Sequence, residues 1–167
     1  MNEPNDIVLE ARNITKAFPG VKALDDVHLT LRRGRLTALL GENGAGKSTL
    51  MSILAGAQSP DSGTLRVGGR EVRFANPREA RDAGIAMIHQ ELSLVPILTV
   101  AENIYLGSEP LTRLGLLDSA AMNRQAVRLL KQLDLDVPPD APVETLRVGE
   151  QQVVEIARAL SGQARVI

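Results

Sequence analysis

Cysteine is absent from the 167 residues, which excludes disulfides and thiolate metal sites. Aromatic residues are scarce, with one Tyr, two Phe and no Trp. A surface that stacks the bases of single-stranded nucleic acid therefore has little to draw on. Positive charge is not in excess either. The 19 Lys and Arg residues stand against 20 Asp and Glu, leaving a net charge of −1, so no nucleic-acid partner is expected. No window holds about 18 consecutive apolar residues, and no bilayer-spanning segment is expected. Met1-Asn2-Glu3-Pro4-Asn5-Asp6 is polar and acidic and lacks the basic and apolar regions of a signal peptide. Any membrane role must come through a partner. What is present, 44% hydrophobic and 23% charged residues, suits one soluble globular domain with a real core.

One stretch organises the rest. Gly41-Glu42-Asn43-Gly44-Ala45-Gly46-Lys47-Ser48-Thr49 fits G-x-x-x-x-G-K-[ST], the phosphate-cradling P-loop. The apolar run Leu36-Thr37-Ala38-Leu39-Leu40 before it reads as a buried strand. Thr49 to Ala55 after it has helical character. Strand, glycine loop and helix are the context that such a loop needs. Gly41, Gly44 and Gly46 lack a Cβ, so the backbone curls tightly and turns its N–H groups onto phosphate oxygens. The helix N-terminus adds unpaired N–H groups and partial positive charge. Lys47 would reach the β- and γ-phosphates of ATP, and the Ser48 hydroxyl would ligate Mg²⁺.

Upstream, Ile7 to Arg12 reads as a first strand, followed by a turn at Pro19-Gly20. Val27, Leu29 and Leu31 alternate with polar residues as in a half-buried strand. Phe18, beside the turn, is either a stacking platform for an adenine ring or a turn-packing aromatic. Downstream, Thr64 to Arg73 reads as a hairpin turning at Gly68-Gly69. Asn76, Pro77 and Glu79 open a helix as N-cap, first helical residue and capping-box partner, and Gly84 ends it. Ile85 to Ile88 reads as a short apolar strand, with His89 and Gln90 at its carboxyl end, where ligands bind in open α/β sheets. Gln90 is either a Mg²⁺ or water ligand or a plain polar residue at a strand exit; His89 is expected to face solvent. Thr99 and Glu102 form a second capping box. A longer helix capped by Asp118 or Ser119 carries an apolar face of Met122, Ala126, Leu129, Leu130 and Leu133. After a proline-rich linker, 136–142, the segment Leu146 to Gln152 leads into a helix over Val153 to Leu160. Arg165-Val166-Ile167 reads as the start of another buried strand.

Together these residues resemble the ATP-binding subunits of ABC transporters, from about Ile7 to the last residue. The P-loop through Leu50 matches the family's variant. Phe18 stands at the adenine-stacking aromatic, Gln90 at the Q-loop glutamine, and Leu146 to Gln152 at the signature segment. Asn76 to Leu92 and Leu98 to Gly107 resemble more narrowly the monosaccharide importers of ribose, xylose and galactose type, in which two ATPase halves share one chain. The resemblance implies an α/β P-loop NTPase fold with an antiparallel β subdomain and a helical signature subdomain over about 92–160. It implies ATP and Mg²⁺ as cofactors, with Phe18, Gly41 to Thr49 and Gln90 around the nucleotide and Ser48 and Gln90 on the metal. The implied partners are a second ATPase half packed head to tail, membrane permease subunits and a periplasmic sugar-binding protein. The implied place is the cytoplasmic face of a bacterial inner membrane. Non-transport ABC ATPases and a nucleotide-binding remnant without hydrolysis are the alternatives.

Two departures accompany the resemblance. The family's signature commonly reads Leu-Ser-Gly-Gly-Gln, whereas Arg147, Val148 and Glu150 stand here at the serine, first glycine and glutamine positions. In the family that segment meets the γ-phosphate held by the partner half, and Arg147 would either clamp it or obstruct closure. Second, the family's acidic segment, with its metal-organising Asp and catalytic Glu, has no counterpart here, so no general base is in hand. The strand of that segment would pair with Leu36 to Leu40. Without it the central sheet is expected to be incomplete. Residues 1–167 alone, read as a fragment or a truncated product, are expected to be poorly stable and not to turn over ATP.

Overall fold

The computed structural model describes residues 6–89, 91–162 and 164–167. They fall into two compact units, one over Met1–Ala86 with Val166, the other over Met87–Arg165 with Ile167.

The first unit is built on a four-stranded antiparallel sheet in the order β2-β1-β3-β4. Its strands are β1 (Ile7–Phe18), β2 (Val21–Arg32), β3 (Ser62–Val67) and β4 (Arg70–Val72). β1 runs through the break expected after Arg12 as a single strand. The irregularity is absorbed at Asn13, which takes φ 53 while its amide donates to Asp26 Oδ1 at 2.6 Å, a local bulge within the ladder. The turns at Pro19-Gly20 and Gly68-Gly69 fall where expected. Leu9, Ala11 and Ile14 of β1 are buried with Leu65 and Val67 of β3. Leu50, Ile53 and Leu54 of helix α1 (Lys47–Leu54) join the same core. Helix α2 (Pro77–Asp82) begins with Asn76 accepting the Glu79 N–H at 3.2 Å. The Glu79 carboxylate accepts the N–H of Ala75 at 2.9 Å and the side-chain amide of Asn76 at 3.2 Å, in place of the Asn76 backbone N–H that would close the expected box.

Three expected strands do not form. Leu36 to Leu40 takes no regular structure, and Leu36 and Leu40 are 99% and 88% exposed. Ile85 to Ile88 and the buried strand expected to start at Arg165-Val166-Ile167 are reduced to one parallel bridge between them, Ile85 with Val166, and Ile167 is 57% exposed. The physical reason is common to all three. A strand exists only through its neighbours, and among the described residues no further strand lies beside these runs to complete a ladder. Leu39 alone of the first run packs against the core.

The second unit is helical: α3 (Val100–Tyr105), α4 (Ser119–Gln132) and α5 (Val148–Ser161), with a 3₁₀ turn over Val143–Thr145. The expected box at the start of α3 is present. Thr99 N–H donates to Glu102 Oε2 at 2.8 Å, and Glu102 N–H donates to Thr99 Oγ1 at 3.2 Å. Asp118, not Ser119, caps α4 by accepting the Ala121 N–H at 2.8 Å. Met122, Ala126 and Leu130 form the buried stripe of α4 against Val100, Ile104 and Val154. Each such buried Leu or Met contributes on the order of 2 kcal/mol. α5 begins five residues before the expected Val153, because Glu150 accepts the Arg147 N–H at 2.7 Å and caps the helix from within its first turn.

Candidate functional site

The glycine loop is held in a shape that fits a phosphate chain. Gly44 and Gly46 take φ 86 and 82, the left-handed region that favours glycine. Gly46 is the N-cap of α1, and its carbonyl accepts the Leu50 N–H at 2.9 Å. A Cβ at Gly46 would overlap the Ala23 carbonyl oxygen of β2 and lie 2.8 Å from Leu24 Cδ2. Strand β2 and the loop are thus in direct contact, and only glycine fits between them. Around Gly44 nothing lies within 4 Å of such a Cβ, so that side of the loop is open.

The polar groups of the loop are arranged by two internal restraints. The Ala45 N–H donates to Glu42 O at 3.2 Å. Lys47 Nζ donates to Gly41 O at 2.7 Å and to Glu42 O at 2.6 Å. The ammonium carries three donors, so one remains for an anion. Among the described residues, the backbone N–H groups of Gly44, Gly46, Lys47, Ser48 and Thr49 find no protein acceptor. Glu42, Asn43, Gly44, Ala45 and Ser48 are exposed and Thr49 half-buried. A cluster of unpaired N–H groups at a helix start, beside a cation, is an anion-binding concavity. The fit to a polyphosphate rests on that donor set, and the exposed Ser48 hydroxyl adds an oxygen of the kind Mg²⁺ takes.

Phe18 ends β1, pairs with Val21 across the turn and is 38% exposed. Val21 lies two residues along β2 from Ala23, the residue that meets Gly46, so one strand joins the aromatic to the loop. Lys16 Nζ stands over the Phe18 ring at 5.8 Å from its centroid. It also donates to Asp61 Oδ1 at 2.7 Å. That bond, followed by the Ala17 N–H, holds the Asp61 carboxyl below the ordinary carboxylate range. Gln90 lies outside the described residues. His89 is exposed, as expected.

Sequence reasoning missed two sets of residues. Lys16 and Asp61 stand 45 positions apart and carry no local pattern. In the helical unit, Glu155 Oε1 accepts both the N–H and the hydroxyl of Ser93, at 3.1 and 2.7 Å. Arg158 donates to the Ser93 carbonyl at 3.1 Å. Every polar atom of Ser93 is thereby tied to α5. The detectable signal was a carboxylate between the apolar Val154 and Ile156; in the structure it is buried.

A family model described as ABC transporter matches residues 24–167. The ribose import ATP-binding protein RbsA of Rhodopirellula baltica is 66% identical over 163 residues, which are 98% of this chain and 32% of that protein. Galactose/methyl galactoside import ATP-binding protein MglA 1 of Photobacterium profundum is 51% identical over 98% of this chain and 33% of its own length. The chain thus spans about a third of the curated relatives it matches. A nucleotide-free ATP-binding cassette from an ABC transporter superposes with a TM-score of 0.79 at 28% identity, over 95% of this chain and 66% of that one. The ATP-binding cassette MJ0796, solved as a dimer bound to ADP and Pi, gives 0.74 at 26% identity, over 93% and 70%.

Proposed function

The chain belongs to the ABC transporter family, and from that premise we propose that it is the nucleotide-grasping part of an ATPase that drives monosaccharide import. The observation that carries this reading is the open loop, with its unpaired N–H groups and Lys47 fixed on the Gly41 and Glu42 carbonyls. The names of the sugar-import relatives support the transport role.

In this proposal residues 41–49 hold the triphosphate of ATP. Lys47 supplies charge to the β- and γ-phosphates, and Ser48 and Gln90 supply oxygens to Mg²⁺. Phe18 takes the base on its exposed face. Met1–Ile167 is part of a cassette whose helical region covers about 92–160. The loop covers a nucleotide on one side only, so a second ATPase half closes the other side and excludes water. Permease subunits and a periplasmic sugar-binding protein complete the complex. This part lies at the cytoplasmic face of the membrane; among the described residues no helix is long and apolar enough to cross it. The sugar is chosen by those partners.

The test is Lys47→Ala. ATP affinity, measured by titration calorimetry with Mg²⁺, should fall by at least about tenfold, the loss of one charge-assisted contact. Unchanged affinity would overturn the assignment.

A further inference from the structure

We propose that Asp61 is a positioning residue for the nucleotide base: through Lys16 it fixes which face of Phe18 is left to stack. This rests on the reading of Phe18 given above.

Asp61 grips the three residues that lead into Phe18. Its N–H donates to Thr15 O at 2.9 Å. Its carboxylate accepts Lys16 Nζ at 2.7 Å and the Ala17 N–H at 2.8 Å. The backbone entering Phe18 is thus anchored on side chain and main chain together. The Lys16 ammonium is carried over the ring, 5.8 Å from the centroid, within the range in which a cation is drawn to an aromatic face.

Two consequences follow from the charges. One ring face is occupied by the cation, so a purine has the other face alone. The cation itself is bound to a carboxylate and only 19% exposed, so it does not stray toward phosphates as a free lysine near a triphosphate would. Asp61 also lies on the loop that follows α1, the helix the phosphate loop opens. The segment that orders the base platform is therefore continuous with the one that holds the phosphates.

The experiment separates base from phosphate. The full chain is titrated calorimetrically with ATP and with inorganic tripolyphosphate, as wild type, Asp61→Asn, Lys16→Met, Phe18→Ala and the Phe18→Ala, Asp61→Asn double variant. Asp61→Asn and Lys16→Met should each weaken ATP about three- to tenfold while tripolyphosphate stays within about twofold. In the Phe18→Ala background, Asp61→Asn should bring no further loss. Lys16→Met keeps the apolar stem and serves if Asp61→Asn does not fold. Unchanged ATP affinity in the variants, equal loss of both ligands, or full additivity with Phe18→Ala would each overturn the proposal. Failure of the wild type to bind tripolyphosphate would overturn the phosphate-loop reading and this one with it.

Discussion

Gly44 and Gly46 offer a controlled comparison, because both take a positive φ and they differ in what faces them. Their φ values are 86 and 82. An alanine at either position accepts the left-handed penalty, about 1–2 kcal/mol. At Gly44 that is the whole cost, since no atom lies within 4 Å of the new methyl. At Gly46 the methyl overlaps the Ala23 carbonyl oxygen and reaches Leu24 Cδ2 at 2.8 Å. Leu24 is buried, at 4% exposure, and Ala23 O is backbone, so neither yields cheaply. Overpacking of this kind adds about 1–3 kcal/mol. Gly46→Ala should therefore cost at least about 1 kcal/mol more than Gly44→Ala. Urea unfolding followed by far-ultraviolet circular dichroism reads the difference as a midpoint shift at constant slope. ATP affinity should fall more steeply for Gly46→Ala, because relief of the overlap displaces the loop from β2 and turns its N–H groups. Equal losses of stability in the two variants would refute the claim that β2 clamps the loop.

Glu102→Ala removes the box that starts α3 and should cost about 1 kcal/mol at neutral pH. The Glu102 carboxyl is held below its ordinary value, chiefly by the Thr99 N–H and next by the Thr99 hydroxyl. Its stabilisation is therefore complete above about pH 4.3, the unfolded value, and is lost as pH falls through the lower folded value. Stability measured from pH 7 downward should show wild type and variant converging at the acid end. Glu155→Ala strands the Ser93 N–H and hydroxyl and should cost about 1–3 kcal/mol. Hydrogen exchange at the Ser93 amide should accelerate in that variant, and less in Glu155→Gln, which keeps an acceptor oxygen.

Legibility in the sequence followed the range of the interaction. The box formed by Thr99 and Glu102, the cap at Asn76 and the turn at Gly68-Gly69 are decided within four residues, and the chain spells them out. The glycine loop is of the same kind: its spacing carries its shape. Leu36 to Leu40 has the composition of a buried strand, but composition cannot supply a neighbour, and Leu36 stands 99% exposed. Ile85 to Ile88 failed as a strand for the same reason. Asp61 was illegible because an acidic residue in a loop says nothing of a partner 44 residues away. Glu155 was closer to legible, since a carboxylate on the apolar side of a helix needs a donor, but that need does not single out Ser93, 62 residues away.

The signature segment shows how a departure from a family pattern is absorbed. Glu150, in place of the family's glutamine, accepts the Arg147 N–H at 2.7 Å, and a carboxylate in the first turn suits the positive end of a helix. Gln151 donates to the carbonyls of Val143 and Leu146 at 3.2 and 3.0 Å, fastening the preceding 3₁₀ turn to α5. Neither restraint uses the side chain of Arg147 or Val148, so the start of α5 does not depend on a serine or a glycine at those positions. Relative to Leu-Ser-Gly-Gly-Gln, the arginine adds one positive charge and the glutamate one negative, and the sum is unchanged. What differs is its placement. The carboxylate accepts a helix-start N–H, and the exposed Arg147 carries a planar, fully charged guanidinium just before it.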